Sequence, residues 1–171
     1  MLVKFVPFLL ILTGCIGYGL ASARNYEKKY CELLYFKQVI SNLSIALEKG
    51  HLTFGECCLE VSKGCKEPYS DFLESIYEEL EDKRFYSFSE AWENGIEILQ
   101  RKLEWKELAT LKNVACFGNA EFAAQPVKTL DELGVALDAL INAAGKDKKE
   151  KGRLSICLGF SVGCMLCIIF L

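Results

Sequence analysis

The chain has 171 residues, 51% of them hydrophobic, with 20 Lys+Arg against 23 Asp+Glu and a formal net charge of −3. An acidic balance with no basic patch away from the chain ends excludes an ordinary nucleic-acid binder. Nine cysteines with a single histidine, His51 in a Gly-His turn, give a Cys/His zinc centre little support.

In chain order, Phe5 to Ala23 is a run of 19 residues without a charge, preceded by Lys4 and followed by Arg24, Lys28 and Lys29. Basic residues beside a membrane span stay on the cytoplasmic side, so this run reads as an uncleaved membrane helix whose Arg24 end faces inward. Ala21-Ser22-Ala23 also resembles a signal peptidase site, and Leu12-Thr13-Gly14-Cys15 a lipoprotein lipidation site. An exported, membrane-anchored binding module is therefore the rival reading. Residues 24–153 follow, long enough for one helical domain with one core; Lys4 is the only charge outside them, which leaves the domain at −4.

Tyr26, Tyr30, Leu33, Phe36, Ile40, Leu43 and Leu47 recur at steps of three and four, predicting one long helix that runs out of the first span and ends at Gly50. Thr53-x-x-Glu56 offers a capping box for a short helix from about Phe54 to Lys63, closed by Gly64. Pro68 suits the first turn of the next helix, whose Phe72, Leu73, Ile76, Tyr77 and Leu80 face inward. Ser87-x-x-Glu90 caps a helix burying Ala91, Trp92, Ile96 and Leu99, which Gly95 weakens by about 1 kcal/mol. A further helix is predicted from about Trp105 to Cys116. The last begins near Pro126, buries Leu130, Leu133, Leu137, Leu140, Ile141 and Ala144, and has Gly145 and Gly152 as loosening points.

That helix passes through Lys146, Lys148, Lys149, Lys151 and Arg153 into 18 uncharged residues, Leu154 to Leu171. Such a run reaches about 27 Å as a helix, near the thickness of a bilayer's hydrocarbon core. Ten of its residues are Leu, Ile, Val or Phe, favouring insertion by about 3–6 kcal/mol. The basic cluster again points inward. The expected fold is all-α: an antiparallel bundle of about six helices (24–153) between transmembrane helices at 1–23 and 154–171.

Cys15, Cys157, Cys164 and Cys167 fall in the apolar runs, where they act as small packing residues. Cys31, Cys57, Cys58, Cys65 and Cys116 are odd in number and lack C-x-x-C pairing; free thiols in a reducing compartment are expected. The chain has no G-x-x-x-x-G-K-[ST], G-x-S-x-G or H-E-x-x-H pattern. No catalytic, cofactor-binding or metal-ligating residue is therefore assigned, and no enzyme is expected.

One polar feature stands out. From Glu67 to Asp82 there are seven acidic residues and no basic one. Asp71, Glu74, Glu78 and Glu81 make one stripe on the side away from Ile76. A solvated outer face is the plain reading; a docking surface for a basic partner is the sharper one.

The order of parts resembles the stage III sporulation protein AB family of endospore-forming bacteria over nearly the full length. The resemblance rests on Gly17-Tyr18-Gly19-Leu20-Ala21 leading into a long helix, and on Leu47-Glu48-Lys49-Gly50 before the capped Thr53-x-x-Glu56. Ser89-Glu90-Ala91-Trp92, Leu111 leading to Phe117-Gly118, and the lysine-rich approach to Leu158-Gly159-Phe160 complete it. After Phe-Gly the family usually continues with Leu-Gly, an Asp and a Gln-rich helix; this chain departs from that pattern over residues 119–126. The resemblance implies a helical domain similar to platform protein F of type II secretion systems, within a channel-like complex joining mother cell and forespore. It implies as partners other complex subunits and above all the cytoplasmic ATPase, stage III sporulation protein AA; the membrane, expected from the apolar runs, and a second copy of the chain are the further candidates. The stripe from Asp71 to Glu81 and the exposed ends of the bundle are the candidate docking sites.

Overall fold

The computed structural model describes residues 2–50, 52–81, 88–103 and 126–169, without the side chains of residues 2–9, 11, 12, 88, 89, 126, 167 and 169. Among them are five α-helices and no strand: α1 (Leu2–Glu48), α2 (Phe54–Ser62), α3 (Tyr69–Glu81), α4 (Phe88–Leu103) and α5 (Pro126–Ile169). The helix predicted at 105–116, His51, Ser87 of the second capping box and residues 119–125 lie outside the described set. The chain forms two compact units, Met1–Leu33 with Ile141–Leu171, and Leu34–Leu140.

In the second unit, Gly50 ends the first helix as expected. Its φ of 69° lies in the left-handed region that glycine enters without steric cost, and its N–H donates to the Leu47 carbonyl at 3.0 Å. The capping box is present: the Thr53 N–H donates to Glu56 Oε2 at 2.7 Å, and the Glu56 N–H to Thr53 Oγ1 at 3.4 Å. The Thr53 N–H, and after it the Thr53 hydroxyl, which donates to the same Oε2 at 2.9 Å, hold the Glu56 carboxyl below its ordinary pKa. Pro68 stands just before α3 rather than in its first turn, its carbonyl accepting from the Phe72 N–H at 3.1 Å.

The core of this unit is aromatic. Phe72 meets Phe36 edge-on at 5.7 Å between ring centroids and Trp92 at 5.3 Å. Tyr69 stacks on Phe36 at 5.6 Å. Leu43, Leu73, Ile76, Ile96, Leu99, Leu130, Leu133 and Leu137 are also buried, each worth about 1.5–3 kcal/mol removed from water. The predicted faces are therefore the buried ones, with corrections at their edges. Leu47, Tyr77, Leu80 and Leu140 are only half-buried, while Val39 and Tyr69 join the core. Cys57 and Cys58 are both buried, although their side chains leave the helix in different directions. Burial pushes both thiols above their ordinary range. Gly95 is a close-approach position: a Cβ there would lie 3.0 Å from the Phe72 ring and 3.2 Å from Ile76.

The other unit is a pair of antiparallel helices, the first part of α1 against the last part of α5. Their register is read from glycine contacts. A Cβ on Gly145 would sit 3.4 Å from Tyr30, one on Gly152 3.9 Å from Ala23, and one on Gly159 2.6 Å from the Cys15 carbonyl oxygen. Gly19 lies as close to Ser155, where a Cβ would be 2.8 Å from the carbonyl oxygen, and the Ser22 and Ser155 hydroxyls are 3.3 Å apart. Gly145 and Gly152 are thus seam residues of an unbroken helix, not loosening points. With Gly159 they recur every seven residues, two helical turns, and so return to one face. The seam continues past the boundaries expected at residues 23 and 153, which coincide with no break in either helix.

Candidate functional site: a basic belt and an acidic helix face

Charge is divided unevenly between the two units. The unit made of residues 1–33 and 141–171 has nine basic and four acidic residues, a net +5; residues 34–140 have eleven basic and nineteen acidic, a net −8. All basic residues predicted to flank the membrane fall in the first of these. The seam pairs residue 19 with 155, 23 with 152 and 30 with 145, which sets Arg24, Lys28 and Lys29 at the level of residues 146–151. The predicted cations of both helices therefore form one belt.

Within the belt, Lys148 bonds Glu27 at 2.9 Å and lies over the Tyr30 ring, 5.3 Å from its centroid. The bond to Glu27 holds the Lys148 ammonium above its ordinary pKa. Lys151 pairs with Asp147 one turn away at 2.8 Å. Lys29 is half-buried, whereas Arg24, Lys28, Lys146, Lys149 and Arg153 are exposed. Arg24 and Lys28 are four apart on α1, and Lys146, Lys149 and Arg153 step by three and four on α5, so each set shares a helix face.

The acidic stripe on α3 is placed as predicted: Glu74, Glu78 and Glu81 are exposed and Asp71 is partly covered, with Ile76 buried opposite. Two of the four have internal work. Asp71 accepts from Lys102 of α4, and that bond above all holds its carboxyl below the ordinary range. Glu74 Oε1 accepts from the Ser62 hydroxyl at 3.3 Å. Glu78 and Glu81 remain as the outward-facing pair.

A family model described as stage III sporulation protein AB matches residues 4–171, the whole chain but its first three residues. The chain belongs to the stage III sporulation protein AB family. No curated protein and no solved structure matches it. The match to stage III sporulation protein AB runs through residues 119–126, where the sequence departs from the usual pattern, and through both apolar runs. Among the described residues no helix is long and apolar enough to cross a membrane; both runs include residues that are undescribed or lack described side chains.

No group of three or more His, Cys, Asp or Glu able to hold a metal ion occurs among the described residues. Cys15, Cys31, Cys57, Cys58, Cys65, Cys157 and Cys164 are free thiols. Sequence reasoning missed the Glu27–Lys148 pair and the glycine seam. The second had a readable signal, the seven-residue spacing of Gly145, Gly152 and Gly159.

Proposed function

We propose that this stage III sporulation protein AB relative is a non-enzymatic membrane subunit of the channel complex between mother cell and forespore. Phe5–Ala23 and Leu154–Leu171 are its two membrane helices, and the acidic helical body is cytoplasmic, on the mother-cell side of the outer forespore membrane. One observation carries this reading. The helix pair sets the two apolar runs side by side, Cys15 against Gly159 and Gly19 against Ser155, so that both end at the same belt of cations. Two runs that reach the same level can enter one bilayer together, and the belt then lies on the inner side.

The body acts as a platform for the complex's cytoplasmic ATPase, docked through the outward acidic face of α3. Asp71 and Glu74 are occupied by Lys102 and Ser62, so Glu78 and Glu81 are the residues to test. Reversing both to lysine is expected to weaken ATPase capture from sporulating cells at least tenfold, with the fold unchanged by circular dichroism. Capture equal to the unaltered chain's removes this docking site.

Sidedness is tested directly at Cys31, an exposed thiol of the belt region. In intact cells an impermeant maleimide is expected to leave Cys31 unmodified until the membrane is opened. Labelling of intact cells, or a mature chain beginning at a lipidated Cys15, establishes the exported module instead.

A further inference from the structure

We propose that the belt is a docking surface for anionic phospholipid headgroups, which collects acidic lipid around the helix pair; this rests on the membrane reading above. The first ground is which cations are left facing outward. The belt carries eight Lys/Arg and four acids, Glu27, Glu32, Asp147 and Glu150. Two of those acids are taken up by Lys148 and Lys151, at 2.9 and 2.8 Å. Arg24, Lys28, Lys146, Lys149 and Arg153 are exposed and belong to neither of these pairs.

The second ground is position. On α5 the belt spans residues 146–153, about 11 Å of helix, enough to reach across the headgroup region of about 5–8 Å on one side of a bilayer. It stops where apolar surface starts: Leu154 is 58% exposed, Leu158 54% and Phe160 55%. A cation ring flush with lipid-compatible side chains meets phosphate at the depth where headgroups lie.

Each Lys or Arg near an anionic surface strengthens binding about fivefold, and salt screens the attraction over about 8 Å at physiological strength. The selectivity is therefore salt-dependent, and it is carried by the five outward cations rather than by Lys148.

The test reconstitutes the full chain into phosphatidylcholine bilayers containing a trace of spin-labelled phosphatidylglycerol or spin-labelled phosphatidylcholine. The motionally restricted fraction of each label is read by electron paramagnetic resonance. Phosphatidylglycerol is expected to be preferred at least about fivefold, the weight of one such cation, and the preference should shrink as salt rises. It should approach equality in a variant carrying Arg24→Gln, Lys28→Gln, Lys146→Gln, Lys149→Gln and Arg153→Gln, and persist in Lys148→Gln. Equal restriction of both labels by inserted, unaltered protein overturns the proposal, as does a preference indifferent to salt. Loss of the preference on adding inorganic phosphate or duplex DNA at constant ionic strength reassigns the belt to a soluble anion. Flotation separates the two levels of failure: a chain that does not float with either bilayer refutes the membrane reading itself.

Discussion

Phe72→Ala is expected to destabilise the helical body by about 3–5 kcal/mol, the usual cost of emptying a buried aromatic site. Against a total stability of about 5–15 kcal/mol for an ordinary domain, that is enough to leave the body partly unfolded. The reason is the position of the ring. Phe72 is fully buried, with Phe36 of α1 and Trp92 of α4 edge-on to it at 5.7 and 5.3 Å, so its loss strips contacts from three helices at once. A urea titration of the full chain in detergent, followed by tryptophan fluorescence, measures the effect. Gly95→Ala gives the complementary check. Alanine favours a helix interior by about 1 kcal/mol over glycine, yet the added methyl would sit 3.0 Å from the Phe72 ring. The single change is therefore expected to be destabilising, and Phe72→Leu should recover part of the loss. Additive effects of the two changes would mean that Gly95 does not support the ring.

Gly159→Leu is expected to separate the helix pair. Its Cβ alone would lie 2.6 Å from the Cys15 carbonyl oxygen and 3.3 Å from the Gly19 Cα. Both are backbone atoms, so no side-chain rotation relieves the collision, and overpacking of this kind costs about 1–3 kcal/mol or more. Oxidation of a Ser22→Cys, Ser155→Cys pair reports the separation, because the native hydroxyls are 3.3 Å apart. Thiols protected from polyethylene-glycol maleimide count the cross-link, which should form at least tenfold more slowly in Gly159→Leu. Gly14→Leu is the control, as a Cβ there meets nothing within 4 Å. Equal cross-linking in the two variants would show that the helices do not meet at Gly159.

Apolar spacing made most of the helical body legible. Steps of three and four found the buried faces of α1, α3, α4 and α5, because burial on one side of a helix imposes that period on the chain. The Thr53–Glu56 cap was equally readable, since both partners lie within one turn. Leu47 and Leu140 were expected in the core but are half-buried, as periodicity gives a direction and not the extent of the neighbouring surface. Tyr69 belongs to the same face as Phe72 and Ile76 and went unread because it stands next to Pro68. The seam glycines were misjudged for a different reason. Intrinsic propensity scores a helical glycine as a cost, and only an opposing backbone turns that cost into close packing. Of the acidic face, the stripe was readable, but the Lys102 and Ser62 contacts that occupy half of it join separate helices.

The glycine seam also has a consequence for biosynthesis. Gly19 leaves the ribosome 140 residues ahead of Gly159, a delay of about 7–28 s at ordinary translation speeds. Throughout that interval the earlier helix presents its bare backbone groove to whatever neighbour diffuses past, so the newborn chain has a timed opportunity to pair with another molecule before its own tail arrives.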